Sequence, residues 1–394
     1  MEYQFSDRIS ALKPSAIREI LKVTSNPDVI PFAAGNPAPE AFPLDAVREI
    51  SQKLLAENPI LALQYSVTEG YAPLKQAVLA DMKRRYTIGR EFDEIIITSG
   101  AQQVMDLAAK VLCNEGDVIV CESPSFIGSL NSFRAYKAIL KGVEMESDGM
   151  NLEKLEETLK TEKNVRFIYT IPNFQNPSGV TMSLEKRKKL YALAKRYGVL
   201  IVEDNPYGET RVAGENVPAI KSFDEDGIVI YAGSFSKILA PGLRVGFAIA
   251  PREIVAKMTV GKQGSDVHTP IFNQLLVYEW MTNYDFLAHI KKIQDVYRSR
   301  LNLMCDMIDS ELGGFFNYKK PEGGLFIWGE LPESVPMLEF VKEAAARKVA
   351  VVPGIAFMIN ADDRTNCIRL NFSTPTDEAM VKGMKILGEL KKEY

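Results

Sequence analysis

Histidine is nearly missing from this chain: 394 residues contain two, His268 and His289. That count speaks against a His-based catalytic triad or a His-rich metal site, and it leaves acid–base chemistry to lysine, tyrosine and the carboxylates. Cysteine is scarce too. Cys113, Cys121, Cys305 and Cys367 have no metal-ligand spacing and read as core thiols of a reducing compartment. Basic excess is lacking: the net charge of −4 speaks against a general nucleic-acid binder, which needs cations to displace counterions from phosphates. No apolar run approaches the ~20 residues of a membrane span. The opening Met1-Glu-Tyr-Gln-Phe5 has neither the basic nor the apolar region of a secretion signal, so a cytoplasmic protein is expected. Neither Gly-x-Gly-x-x-Gly nor a P-loop occurs.

What is present centres on one stretch, Gly227 to Phe247. A β-branched run, Ile228 to Tyr231, reads as a buried strand that Gly233 and Ser234 bring to a stop. Ser236 and Lys237 follow, then a Pro241-Gly242 turn, Arg244, and a second apolar run from Val245 to Ala250. Lys237 is thus held between two strands in a loop of small residues. Three readings compete. The plain one is a solvated lysine in a polar turn. Ser234-x-x-Lys237 matches the acylation motif of penicillin-binding enzymes, but its companions Ser-Asp-Asn and Lys-Thr-Gly are missing. The third is a desolvated amine that forms a Schiff base with pyridoxal 5′-phosphate, with Ser234, Ser236 and Arg244 around the phosphate.

The length predicts two domains, and the content of 46% hydrophobic and 25% charged residues is that of a globular protein. Ser15 to Val23 is a short helix candidate in a Pro-rich N-terminal segment. Asp45 to Glu57 and Tyr71 to Arg85 read as helices, with Gln64 to Gly70 as a loop between them. An alternation follows: strand Asp93 to Thr98, a helix opening at Ser99-Gly100, strand Val118 to Cys121, strand Val165 to Ile171, helix Ser183 to Tyr197 stopped by Gly198, and strand Val199 to Val202. This pattern predicts an α/β fold with a mainly parallel sheet whose ligands sit beyond the strands' carboxyl ends. After about residue 285 the pattern changes. Helices Tyr284 to Leu312 and Met337 to Arg347 alternate with short apolar runs. The expected division is a large domain over 45–285 and a small α+β domain built from 1–44 and 286–394.

The residues just past each strand form a consistent set. Ser99-Gly100-Ala101-Gln102 opens a helix whose N–H groups suit a phosphate, although Ser99 as a plain N-cap is the ordinary use of such a sequence. Ser123-Pro-Ser-Phe126 offers an aromatic ring for stacking, or merely a core residue. Asn176 lies in Asn-Pro-Ser-Gly, which is also common turn chemistry. Asp204 and Tyr207 follow the next strand: a carboxylate beside a pyridine nitrogen makes that ring an electron sink, whereas alone the sequence reads as an acidic turn. Asn176, Asp204 and Lys237 are each about one βα unit apart, and each follows an apolar strand.

With these residues in hand, the chain resembles the class I/II, fold-type I aminotransferases that use pyridoxal 5′-phosphate (PLP). The match runs from Gly35-Asn-Pro37 through Gln64-Tyr65, Ser99 to Gln102, Asn173 to Gly179, Asp204 to Tyr207 and Ser234 to Arg244, ending at Ile368-Arg369-Leu370. The Pro-rich arm and Pro321 to Trp328 are similar to the 2-aminoadipate/kynurenine aminotransferase group. The resemblance implies a seven-stranded, mainly parallel sheet in a large domain, a small α+β domain, and ping-pong transfer of an amino group between an amino acid and a 2-oxo acid, with 2-oxoglutarate the expected acceptor. It implies that Lys237 carries the Schiff base and the proton shift, Asp204 pairs with the pyridinium nitrogen, and Tyr207 and Asn176 hold the ring oxygen. Phe126 would stack on the ring. Gly100, Ala101, Gln102, Ser234, Ser236 and Arg244 would form the phosphate cup. Tyr65 would reach the phosphate of a second subunit in a homodimer with shared sites. Gly35 and Arg369 would receive the substrate α-carboxylate, and Asn176 would also touch substrate. Arg18, weighed as an arm residue over the substrate, reads better as a solvated helix arginine. Two alternatives stay open: a PLP β-lyase of the same fold, and a non-catalytic effector domain, against which the chain's start at the arm and its lack of a basic module weigh.

Overall fold

Apolar β-branched runs and helical segments alternate through most of the chain; those over 93–250 become strands, while of the run 349–352 only Val352 does. The computed structural model describes residues 3–10, 28–360 and 363–394; the helix candidate Ser15 to Val23, with Arg18, lies outside them. The large sheet contains β1 (Asp93–Thr98), β2 (Val118–Ser123), β3 (Ile139–Glu146), β4 (Gly149–Met150), β5 (Val165–Thr170), β6 (Leu200–Asp204), β7 (Val229–Ser234) and β8 (Gly246–Pro251), in the order β1-β8-β7-β6-β5-β2-β3-β4. The expected seven strands are therefore joined by an eighth, the two-residue β4, which folds back antiparallel on β3. Pairs β3/β2, β2/β5, β5/β6 and β6/β7 are parallel. β8 is antiparallel to both neighbours; toward β7 this follows because the connecting segment, Phe235 to Val245, is shorter than the dozen or so residues a parallel crossover requires.

Side chains alternate across this sheet with period two. Ile96 faces a core shared with Val104 and Leu107 of the helix Ala101–Leu112. Its neighbours Ile95 and Ile97 face a second core with Leu74 and Val78 of Ala72–Tyr86 and with Trp280. Sequence patterning marks no element over 127–164 or 252–283. The chain there forms β3, β4 and the helices Ile127–Ala135, Leu152–Thr161, Arg252–Gln263 and Ile271–Asn283. The last of these buries Ile271, Gln274, Leu275, Leu276, Val277 and Trp280, so its apolar residues do not make the single stripe that betrays a surface helix.

A second sheet is antiparallel throughout, in the order β11 (Val352–Pro353), β12 (Cys367–Asn371), β10 (Phe326–Glu330), β9 (Asn317–Tyr318). The long helix Phe286–Glu311 packs with the terminal helix Asp377–Lys391. Ile30 pairs with Val349, which brings the segment before Gly35 onto this smaller layer. Arg369 lies in mid-strand on β12, opposite Trp328 and Val352. Among the described residues no helix is long and apolar enough to cross a membrane, and no group of three or more His, Cys, Asp and Glu is placed to hold a metal ion. All four cysteines are free thiols.

Candidate active site

The carboxyl ends of β1, β2, β5, β6 and β7 and one face of β12 enclose a cavity of about 490 Å³. Twelve of the residues singled out by sequence line it: Gly35, Ala101, Gln102, Phe126, Asn176, Asp204, Tyr207, Ser234, Ser236, Lys237, Arg244 and Arg369. Gly100 and Tyr65 do not. Gly100 caps the helix Ala101–Leu112 with φ 80°, and a Cβ there would sit 2.2 Å from the Arg244 guanidinium, so only glycine lets that side chain across. Tyr65 is 83% exposed and meets His268 edge-on at 5.9 Å.

Lys237 stands three residues past the end of β7. Its ammonium donates to the Gly35 carbonyl at 2.7 Å. Burial, reinforced by Arg369 and Arg244, lowers its pKa to about 8. Near neutrality a usable fraction of the amine is therefore unprotonated. Asp204 ends β6 and is buried. Its Oδ2 accepts from the Tyr169 hydroxyl at 2.9 Å, while Oδ1 has no partner. Burial raises its pKa to about 7, and the Tyr169 bond offsets part of that. Tyr207 is also buried, and its phenol is held well above the usual range by burial.

Arg369 donates to Asn176 Oδ1 at 2.8 Å and to the Ala33 carbonyl at 3.0 Å, and its Nε has no partner. The guanidinium lies 4.0 Å from the Phe326 ring centre and 4.9 Å from that of Phe357. Burial lowers its pKa to about 10, which still leaves it charged. A planar cation fixed between two rings is set to take a carboxylate. At the opposite end of the cavity Arg244 donates to the Ser99 carbonyl at 3.1 Å and approaches Ser236 Oγ at 3.4 Å. The first turn of Ala101–Leu112 points its free N–H groups the same way.

Several expectations change. Ser99 is not the N-cap: Gly100 is, and the Ser99 hydroxyl donates instead to Asp266 Oδ2 at 2.6 Å. The capping preference is overridden by a carboxylate remote in sequence. Asp204 is not an exposed turn acid. No sequence signal points to Tyr169, a mid-strand aromatic like any other, or to Ser129, 2.8 Å from its hydroxyl. Gly128 carries no sequence signal either, although a Cβ there would clash with Gln102 and Phe126. Phe357, across Arg369 from Phe326, ends a 3-10 turn, Gly354–Phe357, that carries no motif.

Residues 27–387 match the family Aminotransferase class I and II. This chain belongs to that family. It is an aminotransferase, and thus an enzyme, similar over its whole length to others. The aromatic-amino-acid aminotransferase 1 of Thermococcus litoralis is 41% identical, covering 100% of this chain and 95% of the relative. The kynurenine aminotransferase of Pyrococcus horikoshii, solved in complex with PMP, KYN and KYA, superposes with a TM-score of 0.94 at 37% identity, covering 99% of this chain and 97% of that one. The α-aminoadipate aminotransferase of Thermus thermophilus, complexed with N-(5′-phosphopyridoxyl)-L-leucine, gives a TM-score of 0.91 at 37% identity, again covering 99% of this chain and 97% of that one. Fold-type I architecture and the likeness to the aminoadipate and kynurenine group follow.

Aminotransferases of this kind use PLP, and the cavity fits it. Oδ1 of Asp204 is a buried acceptor without a donor, suited to a protonated ring nitrogen. The glycine cradle at Gly100 and the Arg244 guanidinium suit a phosphate.

Proposed function

We propose that this aminotransferase binds PLP in the cavity, tethered at Lys237, and exchanges amino groups between an amino acid and a 2-oxo acid, 2-oxoglutarate among the acceptors, by a ping-pong mechanism. One observation carries the reading. A lysine of depressed basicity shares a cavity with a buried carboxylate lacking one partner and a buried guanidinium lacking one partner. When bound, PLP supplies an aldehyde that exchanges amines and a ring that takes up carbanion charge. Lys237 is the amine that holds the cofactor between turnovers and moves the α-proton of the substrate. Asp204 keeps the ring nitrogen protonated through Oδ1. Tyr207 and Asn176 serve the ring oxygen, and Phe126 covers one ring face. Ala101, Gln102, Ser234, Ser236 and Arg244, with Gly100 behind them, seat the phosphate. Arg369 takes the substrate carboxylate near Gly35.

Donor and acceptor each carry that carboxylate and compete for the same seat, which favours their acting in turn. The names of the relatives place aromatic amino acids, 2-aminoadipate and kynurenine first among donors to try. A homodimer completed by Tyr65 belongs to the same proposal. Tyr65 stands in an exposed apolar run with Ile60 at 77%, Leu63 at 74% and Val67, a surface that a second copy would cover.

The test is direct. The purified protein should be yellow, borohydride should bleach it and fix the cofactor to Lys237, and a panel of amino donors with 2-oxoglutarate should give turnover. Lys237→Ala should lose the fixable linkage and about a thousandfold or more of the activity. A protein that PLP cannot colour, or a Lys237→Ala variant of unchanged turnover, ends the reading.

A further inference from the structure

Behind the phosphate end of the cavity lies a buried charge that the proposed chemistry does not use. Lys262, in the last turn of Arg252–Gln263, is fully buried. Its ammonium donates to Gln103 Oε1 at 2.7 Å, to both oxygens of Asp266 at 2.8 Å and to Thr269 Oγ1 at 3.0 Å. A buried ammonium costs several kcal/mol unless fully paired, so the site is built around it. Its partners turn toward a single residue. Asp266 Oδ2 accepts from Ser99 Oγ at 2.6 Å, and Gln103 Oε1 accepts from the Ser99 backbone N–H at 2.8 Å. Gln103 also closes the ring by donating to Asp266 Oδ2 at 2.9 Å. Ser99 in turn presents its carbonyl to Arg244 at 3.1 Å and leads into Gly100, across which that guanidinium lies.

We infer that Lys262 is a positioning residue for the anion cup: through Gln103 and Asp266 it fixes Ser99, and through Ser99 it fixes Arg244 and the first N–H groups of Ala101–Leu112. The inference rests on reading the cup as the seat of the cofactor phosphate. The physical reason is preorganisation. The Gly100 turn holds a positive φ of 80° that glycine alone adopts readily, and it has no side chain to lock it. An anion arriving there would otherwise have to order both the turn and a long arginine, and that entropy would be lost from its affinity. A buried cation with four acceptors supplies the rigidity from behind, out of reach of the anion itself.

A merely structural role and a positioning role make different predictions for two probes. PLP uses the cup, whereas pyridoxal, which lacks the phosphate, does not. The full chain is stripped of cofactor and titrated with each, by absorbance, with inorganic phosphate as a competitor. Lys262→Met should weaken PLP by about tenfold or more and leave pyridoxal within about twofold; phosphate should compete correspondingly less well. Ser99→Ala leaves the ion pair whole and guards against a folding defect. It should show the same selectivity at a smaller factor, about threefold. Equal losses for PLP and pyridoxal, or no loss in either variant, overturn the positioning role. A wild-type protein that binds pyridoxal as tightly as PLP overturns the cup itself, a result recognisably different from the first.

Discussion

At the amino end of β7 the fully buried Lys221 donates to Asp93 at 2.7 Å, to Asp224 at 2.8 Å and to the Val229 carbonyl at 2.9 Å. At the carboxyl end of the same strand Lys237 donates to one carbonyl, and the charges that bear on it are those of Arg369 and Arg244. The difference extends to neighbouring strands. Asp93 opens β1 beside a cation, while Asp204 closes β6 with one oxygen unpartnered. Desolvation is offset at one end and left standing at the other. Uncompensated groups at the carboxyl end are reactive toward whatever enters; compensated ones at the amino end hold the sheet together. Residue type does not separate the two lysines, but their partners do.

The sharpest way to break this contrast is to remove each lysine in turn from the cofactor-free protein. Lys221→Met strands Asp93 and Asp224 without their cation and should cost about 3–5 kcal/mol of stability. Lys237→Met should do the opposite at neutral pH and stabilise by up to ~3 kcal/mol, because the folded state holds that ammonium at a depressed pKa of about 8. The pH dependence follows from the same shift. Below pH 8 both the folded and the unfolded chain are protonated at Lys237, and the wild type carries the full penalty. Between 8 and the ordinary lysine range the unfolded chain binds more protons, so wild-type stability rises with pH and the advantage of Lys237→Met shrinks. Urea unfolding at a series of pH values measures both variants. Equal destabilisation by the two substitutions would erase the distinction.

Asp204→Asn sharpens it on the side of function. The substitution keeps shape and removes charge from the acceptor left without a donor. The half-reaction with an amino acid should slow about 10²- to 10³-fold, as when one preorganised electrostatic partner of a transition state is lost, while cofactor still binds. Stopped-flow spectra in single turnover read it. A rate within a few-fold of wild type would make Asp204 an ordinary buried acid.

Much of this was legible in the sequence, and for a definite reason. Lys237, Asp204 and Asn176 announce themselves because each stands at or within six residues of the end of an apolar strand, and a local signal suffices. The strand Asp93–Thr98 and the Gly198 helix stop, with φ 65°, come out as read for the same reason. What escaped depends on meetings between distant segments. Lys221 and Lys262 carry no motif, and each has a carboxylate within four residues, but their burial follows from remote partners, Asp93 for the first and Gln103 for the second. Tyr169 is one more aromatic in an apolar strand until its hydroxyl meets Asp204 and Ser129. Ser99 follows capping preference on paper and Asp266 in the structure.

The last prediction asks whether the carboxyl end of the sheet is completed within one chain. Tyr65 is exposed, packs on His268, and does not line the cavity of its own chain. His268 accepts from the Ser66 backbone N–H at 3.3 Å and is two residues from Asp266, so the Tyr65 loop is anchored to the segment that braces the cup. A phenol so placed has little to do alone; facing a second copy, it would add a donor to that copy's phosphate. Tyr65→Ala should therefore weaken cofactor binding by about tenfold, the worth of one hydrogen bond to a charged group. The decisive measurement mixes this variant with Lys237→Ala by co-refolding, after each is shown to be impaired alone. If Tyr65 acts across the interface of a twofold dimer, a mixed dimer has one site with both defects and one with none. Random re-pairing then restores about a quarter of wild-type activity. If Tyr65 acts within its own chain, every site in the mixed dimer stays defective and nothing returns. Mixed dimers shown to be present without recovered activity would take Tyr65 out of the partner's site and leave the apolar run around it in need of another occupant.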